Sequence, residues 1–153
     1  VSLLTIVLNV GAITGGLFFG AWSEKVGRKK AIVVASLLAL PIIPLWSHGA
    51  TALSLGIGVF LIQMCVQGAW GVVPAHLNEL APDEVRGTMP GFAYQGGNLL
   101  ASKTAFVLTS VAASRGGDYG FAMASVIAVV ATVLAVITAF GPEAKGRAFV
   151  GSP

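Results

Sequence analysis

Charge is scarce in this chain. Charged residues make up 10% of its 153 residues, against roughly 25% in an ordinary soluble domain. Hydrophobic residues make up 56% and the mean hydropathy is +0.87. A chain this short cannot bury so much apolar surface inside itself, because small domains keep much of their surface exposed. One water-soluble core is therefore excluded, and lipid is the natural solvent. Cysteine is nearly absent too. Cys65 is alone in a hydrophobic run, which excludes a disulfide framework, and no metal-ligand spacing surrounds it; it reads as a small buried hydrophobe. The apolar runs hold no acid: Glu24, Glu79, Asp83, Glu84, Asp118 and Glu143 all fall in the segments between them or in the tail. No Ser–His pair, HExxH site or acidic dyad occurs at membrane depth, so neither an enzyme nor a metal site nor a cofactor is expected. The net charge of +3 does not signal nucleic acid, because the basic residues lie in short loops and not along a stripe.

What is present is a series of long apolar runs. A bilayer core of about 30 Å needs about 20 apolar residues in helix. Five stretches come close: 1–22, 31–47, 52–75, 89–113 and 120–141, followed by a tail over 142–153. The second carries Pro41 and Pro44 and reads as a kinked helix, since neighbours in a bundle re-satisfy the freed carbonyls; snorkelling basic heads let it extend through Lys30. Nothing alternates over the ten-residue segments a barrel would need. The expectation is an all-α membrane bundle of five spans. Val1 opens inside an apolar run without a basic leader or cleavage site, so the chain reads as a piece of something longer.

Orientation follows from loop charge. The loop over 23–30 holds Lys25, Arg28, Lys29 and Lys30, the loop over 76–88 holds Arg86, and the tail holds Lys145 and Arg147. On the other side SHGAT has no Lys or Arg, and SRGGDYG has Arg115 alone. Positive loops stay in the cytoplasm, so both loops and the C-terminus are placed there, in a multi-pass protein of the plasma (inner) membrane. Gly11, Gly15, Gly16 and Gly20 recur at the small-xxx-small spacing that lets helices approach. Gly68, Gly71, Gly91, Gly96 and Gly97 do the same or mark bends.

Three charged elements share the cytoplasmic side: GAWSEKVGRKK, PAHLNELAPDEVRGTMPG and GPEAKGR. Each sets a carboxylate near the start or end of a helix with Arg or Lys close by, and a carboxylate at a helix N-terminus gains from the dipole. The expected pairs are Glu24 with Arg86, and Arg28 or Lys29 with Glu79 or Glu143. An exposed pair is worth only about 0–1 kcal/mol, which suits a latch that opens repeatedly. The plainer reading, basic residues that only fix topology, coexists with it.

GAWSEKVGRKK resembles the loop motif of the major facilitator superfamily, Gly-x-x-x-Asp-Arg/Lys-x-Gly-Arg/Lys-Arg/Lys, at Gly20, Glu24, Lys25, Gly27, Arg28 and Lys29, with Glu24 in place of the usual Asp. The second element is similar to the pattern after the fourth span of each half, matched by Glu79, Pro82, Arg86 and Gly87. The third is similar to the signature after the last span of sugar-porter-like members. The resemblance implies the C-terminal half of such a transporter, spans eight to twelve, whose partner is the missing N-terminal half. GAWGVVPAHLNELAPDEVRGTMPGFAYQGGNLLAS resembles most the sialate and lactate (monocarboxylate) proton symporter branch. That implies secondary active transport of a small organic anion such as lactate, another carboxylate or sialate, with the proton as coupling ion and alternating access as mechanism. A sugar porter, or a non-transporting membrane sensor or interaction module of the same fold, is the alternative.

Polar groups at mid-depth are costly in lipid and usually face a cavity or another helix. The candidate pathway residues are Asn9, Gln63, Gln67, Tyr94, Asn98, Ser102 and Lys103. Gln63 and Gln67 stand one turn apart on one face; Tyr94, Asn98 and Ser102 follow at four-residue steps. Interhelical hydrogen bonding is the plain alternative for the amides, and an interfacial anchor for Tyr94. Lys103 lies about 21 Å along a helix from Met89, where its ammonium either meets an anionic substrate or snorkels outward. The candidate cytoplasmic gate is Gly20, Glu24, Lys25, Gly27, Arg28, Lys29, Glu79, Arg86 and Glu143. His48 and His76 read as solvated loop residues.

Overall fold

A computed structural model describes residues 2–145; Arg147, expected to help orient the tail, lies outside the described residues. Six helices follow one another: α1 Ser2–Val26, α2 Arg28–Ser47, α3 Ala52–Leu80, α4 Met89–Ala101, α5 Thr104–Ser114 and α6 Tyr119–Phe140. No strand occurs among the described residues. By length and composition α1 (from Leu3), α2, α3 and α6 can each cross a membrane. The helices α4 and α5, 13 and 11 residues long, cover together the run expected as one span.

The break in that run has a local cause. The Ser102 hydroxyl donates to the Leu99 carbonyl at 2.7 Å, the acceptor that the Lys103 N–H would use in an unbroken helix. Side-chain hydroxyls compete with the ladder in this way. Both Ser102 and Lys103 keep right-handed helical dihedrals, so α5 continues the general course of α4.

Small residues hold the bundle. α3 is the central post, against which α1 and α2 pack, while α6 packs on α2. Gly11 and Gly15 are buried where α1 crosses α3, and a Cβ on either would run into the backbone of Phe60 or Met64. One core cluster joins Phe19, Ala31, Ile32, Ala35, Ala69 and Val72; a second joins Ala39, Ile43, Ile62 and Cys65 and meets α6 at Ile127. The largest apolar side chains point outward instead: Leu17, Phe92, Leu100 and Phe140 are each at least 70% exposed. That is the inverse of a soluble core, and it follows from lipid as solvent. Gly16 approaches Gly71, whereas Gly20, Gly91, Gly96 and Gly97 meet nothing near a would-be Cβ, so the small-residue reading holds for only part of the series.

Helix ends differ from the sequence expectation. α1 runs four residues past Trp22, α2 begins at Arg28, and α3 continues to Leu80. Glu24 and Glu79 consequently sit in last helical turns and not in loops, and His76 is 8% exposed within α3, not solvated. The chain stays helical there because Glu79 finds its counter-charge across the bundle. α3 opens with a capping box, Thr51 accepting from the Ser54 N–H at 3.1 Å; Asp118 caps α6 at Phe121. Pro41 and Pro44 lie inside an unbroken α2.

Candidate functional site: an ionic clasp at one end of the bundle

A single residue, Gly27, joins α1 to α2. Its φ of 105° belongs to the left-handed half of the backbone map that glycine alone enters freely. The corner it makes drops Arg28 into the space between the ends of α1 and α3. There the guanidinium is 9% exposed by residue and fully engaged. Nε donates to Glu79 Oε1 at 3.0 Å and Oε2 at 3.2 Å, and Nη2 reaches Glu79 Oε1 at 2.8 Å. Nη2 also lies 2.6 Å from Glu24 Oε1, and Nη1 donates to Ser23 Oγ at 2.6 Å. One cation thus ties α1, α2 and α3 together.

Glu24, expected opposite Arg86, closes instead on Arg28 four residues on, the helical spacing that brings side chains together. Arg86 turns to the end of α3. Its Nε donates to the Asn78 carbonyl at 3.1 Å and Nη2 to the Ala81 carbonyl at 3.2 Å, with Asp83 at 2.7 Å. It serves as a C-terminal cap, satisfying carbonyls the helix leaves open. The Arg28–Glu79 pairing matches one of the expected combinations. Its burial does not match the exposed latch: desolvated, hydrogen-bonded pairs are costly to break by removing one partner.

Glu143 carries the second half of the clasp. Its Oε1 accepts from Arg28 N at 3.0 Å, Lys29 N at 3.4 Å, Ala144 N at 3.0 Å and Lys145 N at 3.1 Å. The carboxylate sits on the start of α2, where free N–H groups and the helix dipole favour an anion. Gly27 makes room for it, since a Cβ there would stand 2.5 Å from Glu143 Oε2. Two lysines strap the same segment: Lys29 Nζ donates to the Gly141 carbonyl at 2.9 Å, and Lys145 Nζ to the Lys25 carbonyl at 2.6 Å. Lys25 contributes its carbonyl, and Gly20 its carbonyl to the Ser23 hydroxyl. Ser23, Gly141 and Asp83 were not anticipated. Ser23 could have been, because it lies inside the charged run five residues before Arg28.

Partial burial opposes ionisation of Glu143, but the backbone N–H groups of Lys145, Lys29, Ala144 and Arg28 outweigh it and hold the carboxyl below the usual glutamate range. A depressed folded-state value means the contact stabilises the closed end above the ordinary glutamate pKa and is lost as pH falls through the depressed one. Thermal midpoints of wild type and Glu143→Gln should therefore differ by a few degrees at neutral pH and converge only as pH falls below the ordinary glutamate range and through the depressed value. Parallel curves across that range would show that the carboxylate holds nothing.

The pathway candidates do not all meet. Gln63, Gln67, Trp70 and Pro74 follow at steps of four, three and four and share one face of α3. Lower on that face, Trp70 and Pro74 form one wall of a cleft of about 290 Å³, opposite Tyr94 and Asn98 of α4. Trp70 and Tyr94 meet edge to face, centroids 5.8 Å apart. Asn98 donates to Gln95 Oε1 at 3.2 Å. Ser102 spends its hydroxyl on Leu99, and Asn9 donates to its own Thr5 carbonyl at 2.8 Å; neither lines the cleft. Lys103 is exposed, just beyond the end of α4.

The sequence as a whole is similar to known transport proteins. The chain is 37% identical over 116 residues to the carboxylic acid transporter protein homolog of Saccharomyces cerevisiae, covering 73% of this chain and 18% of that protein. It is 27% identical over 151 residues to the sialic acid transporter NanX of Escherichia coli, covering 97% of this chain and 36% of that protein. It is 29% identical over 90 residues to the myo-inositol transporter 3C of Cryptococcus neoformans, covering 59% of this chain and 15% of that protein. The chain thus spans about a third or less of the length of these relatives. The model of the sugar (and other) transporter family matches residues 1–146, nearly the whole of a helical, lipid-faced bundle clasped at one end, and the chain belongs to that family.

Proposed function

We propose that these helices are the C-terminal, five-span part of a secondary active transporter that carries a small organic anion, lactate or another carboxylate or sialate, in symport with protons. In alternating access two repeats rock about a site near the midplane, and one end must close while the other opens. The observation that carries the reading is the clasp: Arg28 on Glu24 and Glu79, with Glu143 on the start of α2, gathers α1, α2, α3 and the segment after α6 at one end of the bundle. Positive loop charge supports a cytoplasmic position for that end. The cleft between α3 and α4, continued by Gln63 and Gln67, is the protein wall that faces substrate.

An anionic substrate is supported by Lys103, whose ammonium has no partner among the described residues, and by the names of two relatives. A neutral sugar substrate is the second reading, supported by the myo-inositol transporter and by GPEAKGR. Uptake of labelled lactate, sialate and hexose by the full-length protein in proteoliposomes, with and without a proton gradient, separates them. Lactate or sialate uptake driven by the gradient is expected, and Lys103→Gln should lower it at least tenfold with insertion unchanged. Hexose uptake indifferent to Lys103 would establish the sugar reading instead.

A further inference from the structure

Lys25, Lys29 and Lys30 rim a groove of about 530 Å³ that opens between the last turn of α1, the start of α2 and the last turn of α6. Helices α1 and α6 both pack on α2 but barely meet each other, which leaves the space between them. Below the rim the walls are apolar. Val33 and Val34 follow Lys29 and Lys30 one turn deeper in α2, Trp22 stands one turn deeper in α1, and Ala139 closes the far side. Trp22 is fixed by Phe18 and Phe19, ring centroids 6.4 and 6.0 Å away. No acid lines the groove. The carboxylates of this end are engaged elsewhere: Glu24 and Glu79 on Arg28, Glu143 on backbone N–H groups. Lys29 donates to the Gly141 carbonyl. The exposed side chains of Lys25 and Lys30 have no hydrogen bond or ion pair among the described residues.

We propose that this groove binds one anionic phospholipid, with its phosphate at the lysine rim and one acyl chain along Trp22, Val33, Val34 and Ala139. Each half of the groove selects one half of that molecule. Two cations without a counter-charge attract an anion, and basic pockets between membrane helices hold acidic headgroups in this way. A zwitterionic lipid carries its own cation to the same rim and gains less there. A free phosphate would leave the apolar walls uncovered and forgo their burial. An apolar helix would cover the walls but press on two lysines with nothing to neutralise them. The order in depth also fits: one helical turn, about 5.4 Å, separates the lysines from the valines, as charge precedes hydrocarbon in a phospholipid. Trp22 then stands where headgroup meets chain, the level its amphipathic ring favours. Acidic lipids are concentrated in the cytoplasmic leaflet, the side that loop charge supports for this end. The site is independent of which substrate is carried and of whether transport occurs.

The test uses the full-length protein in phosphatidylcholine vesicles, with phosphatidylglycerol brominated on its acyl chains as the probe. Bromine quenches tryptophan on contact, and subtracting the Trp22→Phe signal isolates Trp22 from every other tryptophan. Quenching of Trp22 is expected to saturate at a low mole fraction of brominated phosphatidylglycerol, whereas brominated phosphatidylcholine should act only in proportion to its abundance. Lys25→Gln with Lys30→Gln should raise the half-saturating fraction at least tenfold, since each lysine beside an acidic headgroup is worth about fivefold in affinity. Arg115→Gln, a charge removed beyond α5, should leave it unchanged. Ala139→Phe fills the groove with the rim intact and should weaken binding to a like degree. Equal curves for the two lipids would mean unselective bulk lipid, and an equal loss in Arg115→Gln would mean net charge alone; either overturns the proposal. Unchanged affinity in Ala139→Phe overturns the seated acyl chain. Displacement by millimolar glycerol phosphate would make the rim a soluble-anion site, and a Trp22 that neither lipid quenches would mean that protein covers the groove; both also overturn it.

Discussion

Arg28→Ala is expected to destabilise the charged end by about 3–5 kcal/mol and to abolish uptake. The estimate comes from the asymmetry of buried ion pairs: deleting one partner leaves the other charge uncompensated in a poorly solvated site. Here the orphan would be Glu79, whose side chain is 9% exposed, while Glu24, 65% exposed, would be re-solvated at little cost. The size of the loss thus follows from Glu79 alone. Replacing both members by apolar residues, Arg28→Met with Glu79→Leu, should restore most of the thermal midpoint, since matched hydrophobic pairs commonly equal or exceed the pair they replace. Uptake should stay lost, because a greasy contact has no alternative partner with which to open. Recovery of both stability and uptake in the double variant would mean that the pair is structural only. Circular dichroism melts and proteoliposome uptake on the same preparations give both readouts.

Gly15→Leu is expected to prevent assembly of the bundle, with little folded protein recovered from the membrane fraction. A Cβ at this position overlaps the backbone of Met64, not the tip of a flexible side chain, so relief requires α1 to move away from α3. Interiors packed to crystal-like density do not absorb such shifts locally, and Gly11 one turn earlier faces the same difficulty at Phe60. Gly16→Leu supplies the contrast. No neighbouring atom comes within 4 Å of a Cβ built on it, so that variant should assemble in nearly normal amount. Equal yields for the two variants, measured by monodisperse recovery in detergent, would show that the α1–α3 crossing is looser than described.

Much of this was legible from residue order alone. Long apolar runs separated by a short basic loop demanded helices in lipid, and GAWSEKVGRKK with its two later counterparts pointed to one clasped end. Several of the differences share one origin: local sequence ends a helix where a charge begins. By sequence Glu79 falls in a loop, since an acid in lipid is costly, yet Arg28, 51 residues earlier, neutralises it, and α3 runs on to Leu80. His76 is drawn into the helix, and out of solvent, along with it. Pairing across the bundle cannot be read from local sequence, which is also why Glu24 was given to Arg86 when a partner waited four residues away. The junction at Ser102–Lys103 depends on which carbonyl one hydroxyl chooses. Periodicity has no access to that choice.

The one-residue corner at Gly27 has a mechanical side. Two rods joined by a single peptide unit, with an arginine bolted across their meeting point, turn as one stiff angle piece. What shifts at this end of the molecule is therefore whatever rests on that angle piece: α3, held at Glu79, and the short strip behind α6, carrying Glu143 and Lys145.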